Sequence, residues 1–269
     1  MMSRWSAALA GVAVTATLTT LPQATAAPFA LPPTTGAFDY QLGGASDTPG
    51  LAVVARDSTA APLPGAYNIC YVNGFQTQPG SGQEWLAQHP DAVLHDAAGA
   101  PVVDPDWPDE YLLDPSTPER RAAILEMLGP TISRCASSGF DAVEIDNLDT
   151  FTRAPGIDRA GALELARGFV ALTHGNGMAI GQKNAAEITD IGRSELGFDF
   201  AVAEECAAYD ECDAYTSAYG SHVLQIEYTD NLPEPFATVC ASDRAPLTIL
   251  RDRNLTPAGA PGHVYEQCR

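Results

Sequence analysis

From about residue 38 onward, short apolar runs alternate with stretches whose apolar residues recur every three or four positions. The runs at 38–43, 51–56, 67–73, 141–146, 178–183, 198–204, 222–227 and 246–251 are rich in β-branched and aromatic side chains and end in polar or turn residues, so each reads as a strand. Two helices are clearest. One opens at Thr117-Pro118 and buries Ile124, Leu128, Ile132 and Cys135, with a kink expected at Gly129-Pro130. The other runs from about Asp158 to His174, carries Ala162, Leu165, Phe169 and Leu172 on one face, and is stopped by Gly175-Asn176-Gly177. A long segment at 89–115, dense in Asp, Pro and Gly, separates the third strand from the first of these helices. Eight strands spaced by helices or segments of similar length predict parallel βαβ units closed into a single-domain (β/α)8 TIM-type barrel over 38–269. No Gly-x-Gly-x-x-Gly follows a strand, so a dinucleotide site has no support.

The first residues fall outside this pattern. Arg4 is the only charged side chain before Asp39, an apolar run follows it, and Ala24-Thr25-Ala26 forms an Ala-x-Ala cleavage site. Residues 1–26 therefore read as a secretory signal peptide and 27–37 as a disordered leader, which predicts a secreted, extracellular protein. Lys and Arg total 14 against 34 Asp and Glu, a formal charge of -20. Such a surface repels nucleic acid and anionic lipid and attracts a cationic partner. Six cysteines in a secreted chain allow three disulfides, and Cys206 and Cys212 are spaced to clip one loop. With no Cys-x-x-Cys and scattered histidines, zinc is not expected.

Chemistry in a barrel of this kind collects where the strands end. Those ends carry Gln41, Tyr71 and Asn73, then Glu144, Asp146 and Asn147, then Lys183 and Asn184, Glu204 and Glu205, Glu227 and Tyr228, and Arg251 and Asp252. In the fourth strand Val143 and Ile145 share one face while Glu144 and Asp146 share the other. Two carboxylates turned inward cost heavily in desolvation unless they are used. Lys183 is the sole lysine of the chain, at a place where an Arg fork differs in size and geometry. Carboxylates from different strands facing one cleft, beside amides and tyrosines, fit glycoside hydrolysis, which sets one carboxyl as proton donor and another as nucleophile or base.

Phe38-Asp-Tyr-Gln-Leu42, Ile69-Cys-Tyr71, Tyr111-Leu-Leu-Asp114, Gly139-Phe-Asp-Ala-Val-Glu-Ile-Asp-Asn147, Gly181-Gln-Lys-Asn184, Phe198-Asp-Phe-Ala-Val-Ala-Glu-Glu-Cys206, Tyr209-Asp-Glu-Cys212 and Glu227-Tyr228 occur in order. Together they resemble glycoside hydrolase family 114, the endo-α-1,4-polygalactosaminidases, over about residues 38–251. The resemblance implies a barrel that cleaves α-1,4-linked galactosamine polymers without a cofactor. A partly deacetylated substrate is cationic, in keeping with the acidic surface. It also implies Asp146 as the family's Asp of Glu-x-Asp-Asn and Glu204 as its Glu of Asn-Glu-Gln-Cys, a choice between Glu204 and Glu205 that strand parity leaves open. Two positions depart from the pattern, Ala203 for Asn and Glu205 for Gln, and the Gly-Ser-x-Glu expected after Cys70-Tyr71 is missing.

Around this pair, Gln41, Tyr71, Asp114, Glu144, Asn147, Lys183, Asn184, Glu227 and Tyr228 are expected to contact substrate, with no metal and the protein a monomer. Lys183 beside Asp146 favours an ionised nucleophile, and Glu205 with the acidic 209–213 loop would raise the Glu204 carboxyl toward a proton donor. That predicts retention and a carboxyl separation of about 5–5.5 Å. The alternatives are a sugar-binding barrel without turnover, a hydrolase of another α-linked amino-polysaccharide, or a metal site on Asp146, Asn147 and Asp149.

Overall fold

The computed structural model describes residues 29–242 and 245–269, together with Met2. Apart from Met2, the expected signal peptide lies outside the described residues. Eight parallel strands succeed one another around the molecule, each bonded to the next: β1 (Ala37–Gln41), β2 (Leu51–Asp57), β3 (Tyr67–Asn73), β4 (Ala142–Asp146), β5 (Ala179–Lys183), β6 (Phe200–Glu204), β7 (Val223–Tyr228) and β8 (Leu247–Arg251). The fold is the expected TIM-type barrel.

Its helices are α1 (Gly82–Gln88), α2 (Pro118–Ser138), α3 (Thr150–Arg153), α4 (Arg159–Gly175), α5 (Thr189–Ile191), α6 (Cys212–Tyr219) and α7 (Phe236–Ala241). The connections at 42–50 and 58–66 contain no helix, so the first two crossovers are made by turns alone. The 89–115 segment folds into small antiparallel bridges, Val93 to Leu113, His95 to Pro101 and Val103 to Tyr111, and Gln76 to Leu112 ties it to the end of β3.

The seam between β8 and β1 is closed by an element the sequence pattern did not reveal. A short strand, β9 (Tyr265–Gln267), pairs antiparallel with β8. Its side chains then reach β1: the Tyr265 hydroxyl donates to the Phe38 carbonyl at 2.9 Å, and Gln267 accepts from the Phe38 amide at 3.2 Å. Arg251 fills the same seam, donating to Asp39 and to the Tyr40 carbonyl. Three residues with a single aromatic, Tyr265, give too little periodicity to be read as a strand.

Alternation along each strand builds two cores. Phe38, Val53, Ile69, Ala142, Ala179, Phe200, Leu224 and Ile249 fill the barrel, while Val72, Val143, Ile145, Ile180 and Ala201 face the helices. A Cβ at Gly181 would lie 2.6 Å from the Phe200 ring, so only glycine lets that ring cross the interior beneath the mouth. α2 starts as expected, with the Thr117 hydroxyl accepting from the Arg120 amide, and ends on Gly139 at φ 96°. It runs unbroken through Pro130, its Ile124, Leu128, Ile132 and Cys135 buried.

The cysteines pair as Cys70–Cys135, Cys206–Cys212 and Cys240–Cys268. The first fastens α2 to the outer face of β3, and the second is the expected clip. The leader expected to be disordered is packed over its described part. Phe29 stacks on His174 with centroids 4.7 Å apart, and the Ala30 carbonyl accepts from the Tyr67 hydroxyl at 2.8 Å. Pro32 is buried, and its carbonyl lies 3.2 Å from the His222 ring just before β7.

Candidate active site

Strand parity carries seven polar side chains to the barrel mouth. On β4, Ala142 lies in the inner core, so Glu144 and Asp146 share its face. The same alternation turns Tyr40 of β1, Tyr71 of β3, Lys183 of β5, Glu204 of β6 and Tyr228 of β7 inward. After β4, β5 and β6 the next residue takes a left-handed backbone: Asn147 at φ 65°, Asn184 at 48° and Glu205 at 58°. Asn adopts this conformation readily and Glu does not, so the turn after Glu204 is held against a steric cost. Its holders are Arg253, which grips the Glu205 carboxylate at 2.7 and 2.8 Å, and Asn231 at 2.9 Å.

Lys183 is the hub. Its ammonium lies 2.9 Å from Glu204 Oε2, 3.2 Å from Asp146 Oδ1 and 3.4 Å from Glu144 Oε1, and the side chain is 2% exposed. The Tyr40 and Tyr71 rings flank it, each centroid 5.7 Å away. Burial alone would push this ammonium down, but Asp146 and Glu204, then Tyr40 and Glu144, hold it well above its ordinary value. It stays charged.

Each carboxylate also has a tyrosine. Tyr71 donates to Asp146 Oδ2 at 2.6 Å, Tyr40 donates to Glu144 Oε1 at 2.6 Å, and Tyr228 donates to Glu204 Oε1. Burial raises all three phenols well above the usual range, so they remain donors. Asp146 additionally accepts from the Asn147 amide at 2.8 Å. Asn184 embraces Glu204, accepting from its backbone amide at 2.8 Å and donating to Oε2 at 3.3 Å.

Burial would raise Asp146, but Lys183, the Tyr71 hydroxyl and the Asn147 amide outweigh it and hold the carboxyl below its usual range. Glu144 goes the other way, pushed up to about 7 by burial and by Asp146 and Glu204 despite Lys183 and Tyr40. Its Oε2 has no hydrogen-bond partner among the described residues. A folded-state value raised from 4.5 to about 7 means the folded protein binds the proton more tightly. Stability is therefore lost as pH rises through that window, by roughly 3 kcal/mol at most. Glu144→Gln should melt higher than wild type at pH 8 and close to it at pH 4; a gap independent of pH would mean that Glu144 stays ionised.

Several residues expected at the substrate lie elsewhere. Gln41 and Glu227 sit one position from the inward face. Gln41 bonds Asp39 and Arg56. Glu227 is buried outside the barrel wall, accepting from the Ala207 amide at 3.0 Å and from Gln225 at 2.8 Å. Asp114 ties down the start of α2 through Arg120 and the Ser116 amide. The metal reading also disperses: Asp149 is paired with Arg153 at 3.0 Å, Asn147 bonds Asn73 and Arg153, and Asp146 faces Lys183.

Two residues at the mouth were not singled out from the sequence. Tyr40 was passed over for its neighbour Gln41. Glu110 arrives from the 89–115 segment and accepts from Asn73 at 2.6 Å; burial, with Asp146 and Asp104, pushes it up to about 7 against that hydrogen bond.

The family model of glycoside-hydrolase family GH114 matches residues 18–269. Among solved structures, the chain is similar to Ega3 of Aspergillus fumigatus, determined in complex with galactosamine, with a TM-score of 0.71 at 19% identity, covering 91% of this chain and 100% of that one. It is also similar to the glycoside hydrolase domain of PelA from Pseudomonas aeruginosa, with a TM-score of 0.54 at 17% identity, over 81% of this chain and 94% of that one. At these identities the likeness is one of fold. No curated protein matches the sequence.

Proposed function

Since the chain belongs to glycoside-hydrolase family GH114 and is accordingly a glycoside hydrolase, we propose that it is a secreted enzyme cutting α-1,4-galactosaminidic bonds within a galactosamine-containing polysaccharide, with retention. Asp146 is the nucleophile and Glu204 the acid/base. The observation that carries this reading is the single ammonium shared by the two carboxylates. Through it, Asp146 Oδ1 and Glu204 Oε2 can be no more than about 6 Å apart, which supports the close carboxyl spacing of retention over the wider spacing of inversion.

The steps follow from these positions. Asp146, kept ionised by Lys183 and Tyr71, attacks the anomeric carbon from the face opposite the α-linked leaving group. Glu204 gives its proton to the glycosidic oxygen as the carbon–oxygen bond breaks. Its carboxylate then takes a proton from water, which attacks the same carbon, releases Asp146 and restores the α configuration. Tyr228 and Asn184 hold the Glu204 carboxyl in place through both steps.

Three acidic groups, Glu144, Asp146 and Glu204, face one ammonium. This surplus favours an amino sugar, whose own ammonium adds the missing positive charge. Galactosamine is the sugar found with Ega3, and a partly deacetylated polymer of it suits the acidic surface. Secretion is supported by the apolar leader with its Ala24-Thr25-Ala26 site and by three disulfides among the described residues.

Partly deacetylated galactosaminogalactan incubated with the protein should lose length quickly, before monomer accumulates, and the first reducing ends should be α by NMR. Slow release of monomer from chain ends would remove endo action, and β ends would remove retention. Because surface charge draws the polymer in, the apparent KM should rise with salt while kcat changes little. A salt-independent KM would leave the acidic surface a role in solubility only.

A further inference from the structure

Two large aromatic side chains stand in solvent on loops that leave the C-terminal ends of strands. Trp107, on the 89–115 segment after β3, is 60% exposed, and Tyr209, on the loop after β6, is 64% exposed. Exposed apolar residues are ordinary when scattered, but these two sit on loops fastened by hydrogen bonds, an ion pair and a disulfide.

The Trp107 backbone amide donates to Asp104 Oδ1 at 3.3 Å. Asp104 is 1% exposed, accepts from Gln76 at 2.7 Å and is paired with Arg153 at 2.8 Å. Arg153 in turn donates to Asn147, the residue after Asp146, at 2.9 Å. The platform is thus joined to the proposed nucleophile's own turn through an ion pair between buried Asp104 and half-exposed Arg153. On the other side, Tyr209 lies inside the ring closed by Cys206–Cys212, which begins two residues after Glu204. Its amide donates to the Glu205 carbonyl at 3.1 Å, and the Glu211 amide to the Cys206 carbonyl at 2.9 Å. Each loop carries an exposed aromatic side chain and is tied through hydrogen bonds to one of the two carboxylate-bearing turns.

We propose that Trp107 and Tyr209 are stacking platforms for sugar rings of one polysaccharide chain lying across the barrel mouth, so that the binding site extends on both sides of the ring held at Asp146 and Glu204. A pyranose presents an apolar face of C–H groups to an aromatic ring, and an amino sugar adds an ammonium that the ring's negative face attracts. Neither interaction needs a fixed hydrogen-bond pattern, so the platforms tolerate mixed acetylation along the chain. This inference rests on the proposed galactosaminidase reading and supplies the means by which such an enzyme would engage a chain in its middle.

Acrylamide quenching tests it without relying on turnover. The difference in emission between the wild type and Trp107→Phe isolates Trp107, since Trp85 is 2% exposed and common to both. Galactosamine oligosaccharides of about six or more units should shield this signal, and galactosamine monomer should not. In parallel, Trp107→Ala and Tyr209→Ala should each raise the polymer KM by about threefold to tenfold, with a smaller rise on trimers, and Trp107→Phe should restore most of the loss. Cleavage of the polymer by wild type, with Trp107 unshielded and the KM of both alanine variants unchanged, overturns the platforms alone. No cleavage or binding of any galactosamine polymer by the wild type overturns the functional reading and this inference with it.

Discussion

Asp146→Asn should abolish turnover on every substrate, by at least about 10⁴-fold, because no other carboxylate can take its place as nucleophile. Glu144 shares its strand face but lies deeper, with 0% exposure and a hydrogen bond to Tyr40. Glu204→Gln should behave differently. On polymer it should cost about 10²–10⁴-fold, the usual contribution of a general acid. On an aryl α-galactosaminide whose phenol leaves without a proton, the first step should survive and the second should become limiting. Azide should then accelerate turnover and give the α-glycosyl azide, since the anion needs no base. Azide rescue of an Asp146 variant, with a β product, would exchange the two roles.

The electrostatic grounds for this assignment differ from those the sequence offered. Glu205 was expected to raise Glu204 by like charge, but its left-handed turn sends it to Arg253. Lys183 was expected to favour Asp146, yet it lies nearer Glu204, at 2.9 Å against 3.2 Å. Both carboxylates have a tyrosine besides the ammonium, so what distinguishes Asp146 is that the Tyr71 hydroxyl is joined by the Asn147 backbone amide at 2.8 Å, where Glu204 has the Asn184 side-chain amide at 3.3 Å. The two Asp146 contacts join β3 to β4 and a strand to its own turn, and neither is visible in a linear pattern.

The alternation that makes a strand was legible, and with it the barrel. All eight strands lie within two residues of their expected bounds, because half of each must be apolar to fill the interior or meet the helices. The inward pair on β4 was legible for the same reason. Errors came where a strand was polar on both faces near its end. Gln41 beside Tyr40 and Glu227 beside Tyr228 offer no apolar residue at the last position to fix which face is which. Glu110 and β9 belong to segments without periodicity, whose placement depends on contacts more than 35 residues away in sequence, such as Glu110 with Asn73.

Lys183→Met should be the most damaging single change to the site as a whole. It removes the one cation that, among the described residues, pairs with Glu144, Asp146 and Glu204 and leaves those carboxyls uncompensated in a buried cleft, which costs about 3–5 kcal/mol for a buried pair broken from one side. The cost should depend on pH in a defined direction. Without the ammonium, which lowers both Glu144 and Asp146, burial raises their folded-state values, so stability relative to wild type is lost as pH rises through them and regained on acidification. The difference in melting temperature between wild type and Lys183→Met should therefore be large at pH 8 and shrink toward pH 4. Activity should fall with it, and the acid limb of any residual pH profile should move upward as Asp146 becomes harder to ionise. Lys183→Arg keeps the charge but not the shape. The guanidinium fork must fit a space 2% exposed between two tyrosine rings, where a compact ammonium now meets three carboxyl oxygens at 2.9, 3.2 and 3.4 Å. It should restore much of the stability at pH 8 and little of the activity. A fully active Lys183→Arg would reduce the lysine to a counter-charge that any cation could supply, and the placement of Asp146 and Glu204 would then have to come from the tyrosines alone.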